Sequence, residues 1–208
     1  MIITQTPLRI SFLGGGTDYP AYYRRYGGAT LATAINKYTY VTVHRLTRFA
    51  DLCARVHYSQ VESVQHIDEI HHPSARECLR FLDIQGGIEI HYVSDLPART
   101  GLGSSSSATA GLLMALHAFK GEMVSNEQIA QEAICIEQDL IKERVGSQDQ
   151  YVCALGGFLH LQFHTDGSIR TSPVVINPER LQALQERFLL MYTGLQRHAH
   201  DVLDEQMA

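Results

Sequence analysis

The chain has 208 residues, room for one generous domain or for one domain and part of a second. Hydrophobic residues make up 45 % and charged residues 19 %, with 16 Gly, 6 Pro and no Trp, ordinary globular usage that excludes a disordered polymer. A net charge of −5, from 17 Lys and Arg against 22 Asp and Glu with no long basic run, excludes an electrostatic footprint for nucleic acid.

The opening MIITQTPLRISF has no basic stretch leading into an apolar one, and no apolar run approaches the ~18 residues that cross a bilayer. The expectation is a cytoplasmic protein without a membrane partner. Cys53, Cys78, Cys135 and Cys153 are scattered singly, which argues against a zinc ribbon or a disulfide framework and for small buried residues.

In chain order, Leu8 to Leu13 and Tyr40 to Leu46 alternate apolar and polar residues around a turn-rich segment and a β-branched stretch, Ala29 to Ile35. This predicts an antiparallel strand group. Ser74 to Leu82 has helical spacing, stops at Gln85-Gly86-Gly87, and is followed by an alternating strand, Ile88 to Val93. Ala108 to Phe119 is apolar nearly all round and predicts a buried helix, with Ala108, Ala110 and Gly111 small enough to let it approach the sheet.

Ser125-Asn-Glu-Gln128 has the form of a capping box, and the apolar stripe Ile129, Ala133, Ile134, Leu140 and Ile141 carries the helix to about Arg144. Gly156-Gly157 precedes a strand, Phe158 to Phe163, and an Asp166-Gly167 turn. Asn177-Pro178 opens a short helix to about Glu186, before a strand, Phe188 to Tyr192, and a last helix to Ala208. The absence of a stop signal there gives an expected division into a domain over 1–186 and the start of a second over 187–208.

The strongest chemical feature is Pro97-Ala-Arg-Thr-Gly101-Leu-Gly103-Ser-Ser-Ser-Ser107-Ala108, a glycine and serine loop ahead of a buried helix. Glycines let backbone N–H groups approach a polyphosphate, the helix dipole favours the negative charge, and serine hydroxyls add donors or a metal ligand. The plainer reading is a serine-rich N-cap turn. No Gly-Lys-Ser/Thr occurs, so this is no Walker A loop, and a serine where a third glycine belongs disfavours a dinucleotide fold.

Glu137 lies on the apolar stripe of its helix, three and four residues before Leu140 and Ile141, and a buried carboxylate needs a partner. Mg²⁺ shared with a serine hydroxyl and phosphates would satisfy it, as would an ion pair. The pairs His71-His72, His160 with His164, and His198 with His200 lack a third ligand at useful spacing, so they read as surface or strand residues.

Pro97 to Ala108 resembles the PxxxGLGSSA motif of the GHMP kinases. Thr6 to Tyr19, with Arg9 ahead of Gly14-Gly15-Gly16-Thr17-Asp18, is similar to their N-terminal motif, and Val145 to Gln150 to the segment holding their catalytic aspartate. The resemblance implies an α+β fold like domain 2 of ribosomal protein S5, then the start of a ferredoxin-like C-terminal domain. It implies ATP as phosphoryl donor, Mg²⁺ as cofactor, and a sugar or sugar phosphate as acceptor, with a homodimer possible. Gly15-Gly16, where galactokinases carry Glu-His, looks like the branch acting on D-glycero-D-manno-heptose phosphates.

On this reading Pro97, Gly101, Leu102, Gly103, Ser104, Ser105, Ser106 and Ser107 bind ATP, and Ser105 and Glu137 bind the metal. Gly15, Gly16, Thr17 and Asp18 face the acceptor, while Asp149 is the base and Arg9 the charge that offsets the developing negative charge. Plainer roles stay open: an N-cap for Asp149, a solvated edge charge for Arg9, an Asx turn for Asp18. The competing function is a catalytically silent nucleotide-binding or assembly module; a nicotinamide-dependent dehydrogenase is the weakest alternative.

Overall fold

The computed structural model describes residues 1–46, 52–98 and 100–191. Strands β1 (Ile2–Leu13), β2 (Gly28–Arg45), β3 (Ala54–His57), β4 (Val61–Val64), β5 (Ile88–Ser94), β6 (Phe158–Phe163) and β7 (Ile169–Pro173) form one mixed sheet. Helices α1 (Pro20–Tyr26), α2 (Pro73–Phe81), α3 (Ser104–Lys120), α4 (Asn126–Ile134), α5 (Gln148–Leu155) and α6 (Pro178–Gln185) complete the α+β architecture.

The expected strands over Ala29 to Ile35 and Tyr40 to Leu46 are one strand. β2 carries the sheet: β1 pairs antiparallel with it, with register shifts between Pro7 and Arg9 and between Ser11 and Leu13, while β6 pairs with its first part and β5 with its last. β3 joins β5 in parallel, and β4 and β7 are added antiparallel. Helix α1 lies in the segment read as turns, opened by Pro20 at its first turn and closed by Gly27.

One sheet face is apolar. Val41, Val43, Val56, Ile88 and Ile90 are buried against Leu79, Leu112, Leu113, Leu116 and Ile129 of the helices. The close approach of α3 is real at Gly111, where a Cβ would stand 2.6 Å from Thr6 Oγ1. Ser125 caps α4, accepting from the Gln128 N–H, but the Gln128 side chain donates to Glu132, so the box is half formed.

The long helix expected to reach Arg144 gives way to a π-helical stretch over Cys135–Leu140. It closes where Lys142 turns left-handed at φ 64° and the Glu143 N–H reaches back to the Glu137 carbonyl at 2.8 Å. Asn177 caps α6 as expected. The strand expected from Phe188 does not form over Phe188–Met191, which has no ladder partner among the described residues; Tyr192 and the final helix lie outside them.

Candidate active site

Helix α3 begins at Ser104, four residues before the apolar pattern does, so Ser104 to Ser107 are its first turn rather than a loop. Gly103 precedes it in the left-handed conformation, φ 73°, and no side chain caps the helix. The first intrahelical bond runs from the Ser107 N–H to the Gly103 carbonyl, leaving the N–H groups of Ser104, Ser105 and Ser106 ahead of it at the positive end of a 17-residue dipole. That is the geometry of an anion site.

The four serines face different ways. Ser106 is buried and donates to Glu137 at 2.8 Å, Ser107 is buried and donates to the Thr6 carbonyl at 3.0 Å, and Ser105 is exposed. Helical phase separates them by about 100° per residue, so they cannot share one target. Pro97 lies exposed ahead of the turn, and Gly101 is open at φ 75°.

Arg9 reaches from β1 to the base of this turn. Its Nε donates to Asp149 Oδ1 at 2.6 Å, Nη2 donates to Oδ2, and Nη1 donates to the Gly101 carbonyl at 2.7 Å. The Arg9 backbone N–H donates to the Leu102 carbonyl at 3.0 Å. Asp149 stands in the first turn of α5 behind Ser147, so it is no N-cap, and Arg9 is largely buried rather than solvated. A Cβ on Gly103 would lie 3.0 Å from Arg9 Cγ, so the turn and the guanidinium need this glycine.

Asp18 is 1 % exposed. Its carboxylate accepts from the backbone N–H groups of Gly16 at 3.0 Å and Gln148 at 3.2 Å. Burial, then the nearby Asp149 charge, raises its pKa above the usual carboxylate range. A Cβ on Gly146 would come within 1.8 Å of Asp18 Oδ2, so that glycine makes the space for it. Thr17 Oγ1 donates to the Gly14 carbonyl and meets Ala29, pinning the turn to β2. Gly15 borders Ser11 and Gln148, whose side chains hydrogen-bond at 2.9 Å.

Glu137 is fully buried. Its Oε2 accepts from Ser106 and from Gln150 Nε2 at 2.6 Å, while Oε1 has no hydrogen-bond partner. Burial pushes its pKa up to about 7, against the donors that lower it. An orphaned carboxylate oxygen beside a hydroxyl is a hard-oxygen donor set that fits Mg²⁺, which Glu137 and Ser106 would hold. Among the described residues no ion pair joins Glu137 to a basic side chain, the plainer alternative.

Comparison with known proteins then gives the relationship. Residues 70–157 match the GHMP kinases N terminal domain. That stretch, from α2 to α5, is similar to the N-terminal domain of the GHMP kinases. It is 28 % identical over 97 % of its length to the D-glycero-alpha-D-manno-heptose 7-phosphate kinase of Campylobacter jejuni, and 29 % identical over 97 % to the L-fucokinase/L-fucose-1-P guanylyltransferase of Bacteroides fragilis. It spans 62 % of the former and 25 % of the latter. In fold it matches a D-glycero-D-manno-heptose 1-phosphate kinase from Bacteroides thetaiotaomicron with a TM-score of 0.79 at 23 % identity, covering 88 % of this chain and 62 % of that one.

Arg9, Asp149, Gly101, Leu102 and Gly103 come together as a unit, and Glu137 lies behind them through Ser106. Two hydroxyls point elsewhere than expected. The hydroxyl on Glu137 belongs to Ser106, not Ser105, because Ser106 is the first-turn position of α3 that faces the π-helical stretch. Ser107 points away from solvent into β1 and is unavailable to a phosphate through its side chain. Ser11, Gln148 and Gln150 went unread; only their places beside Arg9 and Asp149 in sequence pointed to them.

Proposed function

We propose that this domain belongs to an ATP-dependent kinase transferring the γ-phosphate to a hydroxyl of a sugar or sugar phosphate, most simply a D-glycero-D-manno-heptose phosphate. The observation that carries this is the uncapped α3 N-terminus placed against the Arg9–Asp149 pair. Polyphosphate oxygens would take the N–H groups of Ser104, Ser105 and Ser106, with Gly101 to Gly103 admitting close approach.

Arg9 binds the Gly101 carbonyl and Asp149 together, so it fixes the carboxylate relative to the phosphate turn. Asp149, partly exposed, would accept the acceptor hydroxyl's proton at one carboxylate oxygen and orient its attack. Gly15, Gly16 and Gln148 would line the acceptor side, and Asp18 would hold the turn that presents them. Mg²⁺, when bound at Glu137 and Ser106, would neutralise phosphate charge. The heptose phosphate acceptor rests on the triple glycine and on the substrates in the relatives' names.

The test is a coupled assay with MgATP and the 7-phosphate and 1-phosphate of D-glycero-D-manno-heptose, with L-fucose and galactose beside them, run on the full-length gene product. Phosphorylation of a heptose phosphate above the others is the expected result. MgATP binding without transfer to any acceptor would instead favour the silent module.

A further inference from the structure

The face of the sheet turned away from the helices carries a second group of side chains unrelated to the phosphate turn. Val43, Val56, Ile88 and Ile90 point into the core, so the alternation of each strand puts His44, Arg55, His57, Glu89 and His91 on the other face. The registers gather them: His44 and Arg55 flank Glu89 on either side, and His57 lies beside His91. Directly paired residues place their side chains about 4.5–5.5 Å apart at Cβ, close enough to converge.

They do converge. His57 Nε2 is 2.9 Å, His91 Nε2 3.1 Å and His44 Nε2 3.7 Å from an oxygen of Glu89. Ligand atoms of His44, Glu89 and His91 all lie within 4.8 Å of one another. A tetrahedral zinc site with metal–ligand bonds near 2.0–2.1 Å has its donor atoms about 3.3 Å apart, and the contacts of His91 and His44 with Glu89 fall on either side of that spacing. The rings of His57 and His91 stack with centroids 4.1 Å apart, and His57 Nε2 is buried without a hydrogen bond despite its short approach to Glu89.

We infer that His44, Glu89 and His91 form a site for one divalent transition-metal ion of the zinc class on the open face of the sheet. The site, two imidazoles and one carboxylate, ties β2 to β5 and leaves a fourth position for water. It differs in donor chemistry from the Mg²⁺ position at Glu137, because imidazole nitrogen suits zinc and its neighbours whereas Mg²⁺ takes oxygen. Arg55 Nη1 approaches Glu89 at 3.7 Å, beyond hydrogen-bond reach, and its partly exposed side chain can swing out when the ion enters. Side chains of His44 and His91 are each about a third exposed, which gives the ion its way in.

The experiment strips the protein with EDTA, removes the chelator, and titrates Zn²⁺ against a chromophoric competitor at neutral pH, with Co²⁺ absorption reporting geometry. One equivalent of Zn²⁺ bound, the intense visible bands of tetrahedral Co²⁺, and a rise in Tm on zinc addition are expected. The pair His44→Ala/His91→Ala, on a solvent-facing surface, should weaken zinc binding by more than about tenfold and abolish the Tm rise. His160→Ala/His164→Ala, away from the cluster, should leave both unchanged. No saturable binding, or binding undiminished in His44→Ala/His91→Ala, would overturn the site. Circular dichroism of each variant separates a lost site from a lost fold.

Discussion

Replacing Glu137 by glutamine removes a charge from the core while keeping its shape, and the consequence follows from burial alone. In the fold the Glu137 carboxyl has its pKa raised from 4.5 to about 7. The native state therefore holds more protons than the unfolded chain between those values, and stability must fall as pH rises through that window. The full cost of ionising the carboxyl is roughly 3 kcal/mol at 1.36 kcal/mol per unit, most of which develops between pH 5 and pH 8. For a chain of this size that is a Tm difference of about 5–10 °C. Thermal melts in metal-free buffer at pH 5 and pH 8 should show the decline in the wild type and its loss in Glu137→Gln. At pH 8, MgATP should restore stability to the wild type more than to the variant, since a metal ligand must be ionised. A Glu137→Gln protein with the wild-type pH dependence would refute the assignment of that burden to Glu137.

The remaining expectations concern the site and its scaffold. Asp149→Asn should lower kcat on the preferred acceptor by about 100-fold or more with a small change in ATP affinity, read by initial rates and nucleotide titration. Ser106→Ala should raise the Mg²⁺ concentration needed for half-maximal rate while Ser105→Ala should not; the reverse result would restore the earlier assignment. Gly103→Ala forces a left-handed alanine against Arg9, at about 1–2 kcal/mol, and should weaken ATP binding together with stability. Gly146→Ala puts a methyl into the Asp18 carboxylate and should cost about 2 kcal/mol or more in chemical denaturation.

What could be read from the sequence was whatever local chemistry determines. Ser125 and Asn177 announce helix starts because a short polar side chain can satisfy the first free N–H groups, and both do so. The buried α3 and the phosphate turn were legible because Gly101, Gly103 and the small residues after them serve neighbouring backbone. The long β2 was not, because its two apolar runs are separate in sequence, while tertiary pairing with β1 on both sides of the gap, at Ala34 and at Tyr38, joins them in one strand. The identity of the serine on Glu137 depended on the phase of α3, set by a start four residues earlier than the apolar pattern implied. The histidine cluster was invisible for a stronger reason: its members are far apart in sequence, and only the antiparallel pairing of β2 with β5 brings His44 to Glu89.

Asp18 shows how the two halves of the site depend on each other. Its carboxylate is taken up by backbone N–H groups on both sides, one from its own glycine turn and one from Gln148 at the head of α5. Its backbone carbonyl accepts from the Ser147 N–H as well, so a single residue fixes the start of α5 against the turn after β1. Arg9, on the strand entering that turn, then closes a loop through Asp149 to the Gly101 carbonyl and the head of α3. Segments remote in sequence are thereby locked to one another by charge-assisted hydrogen bonds in a partly buried setting, where such bonds are strongest. Electrostatic catalysis requires groups that are fixed before charge develops. The same wiring makes truncation of Asp18 or Arg9 costly to stability, so loss of activity in a variant of either must be read with its melting curve before any catalytic role is assigned.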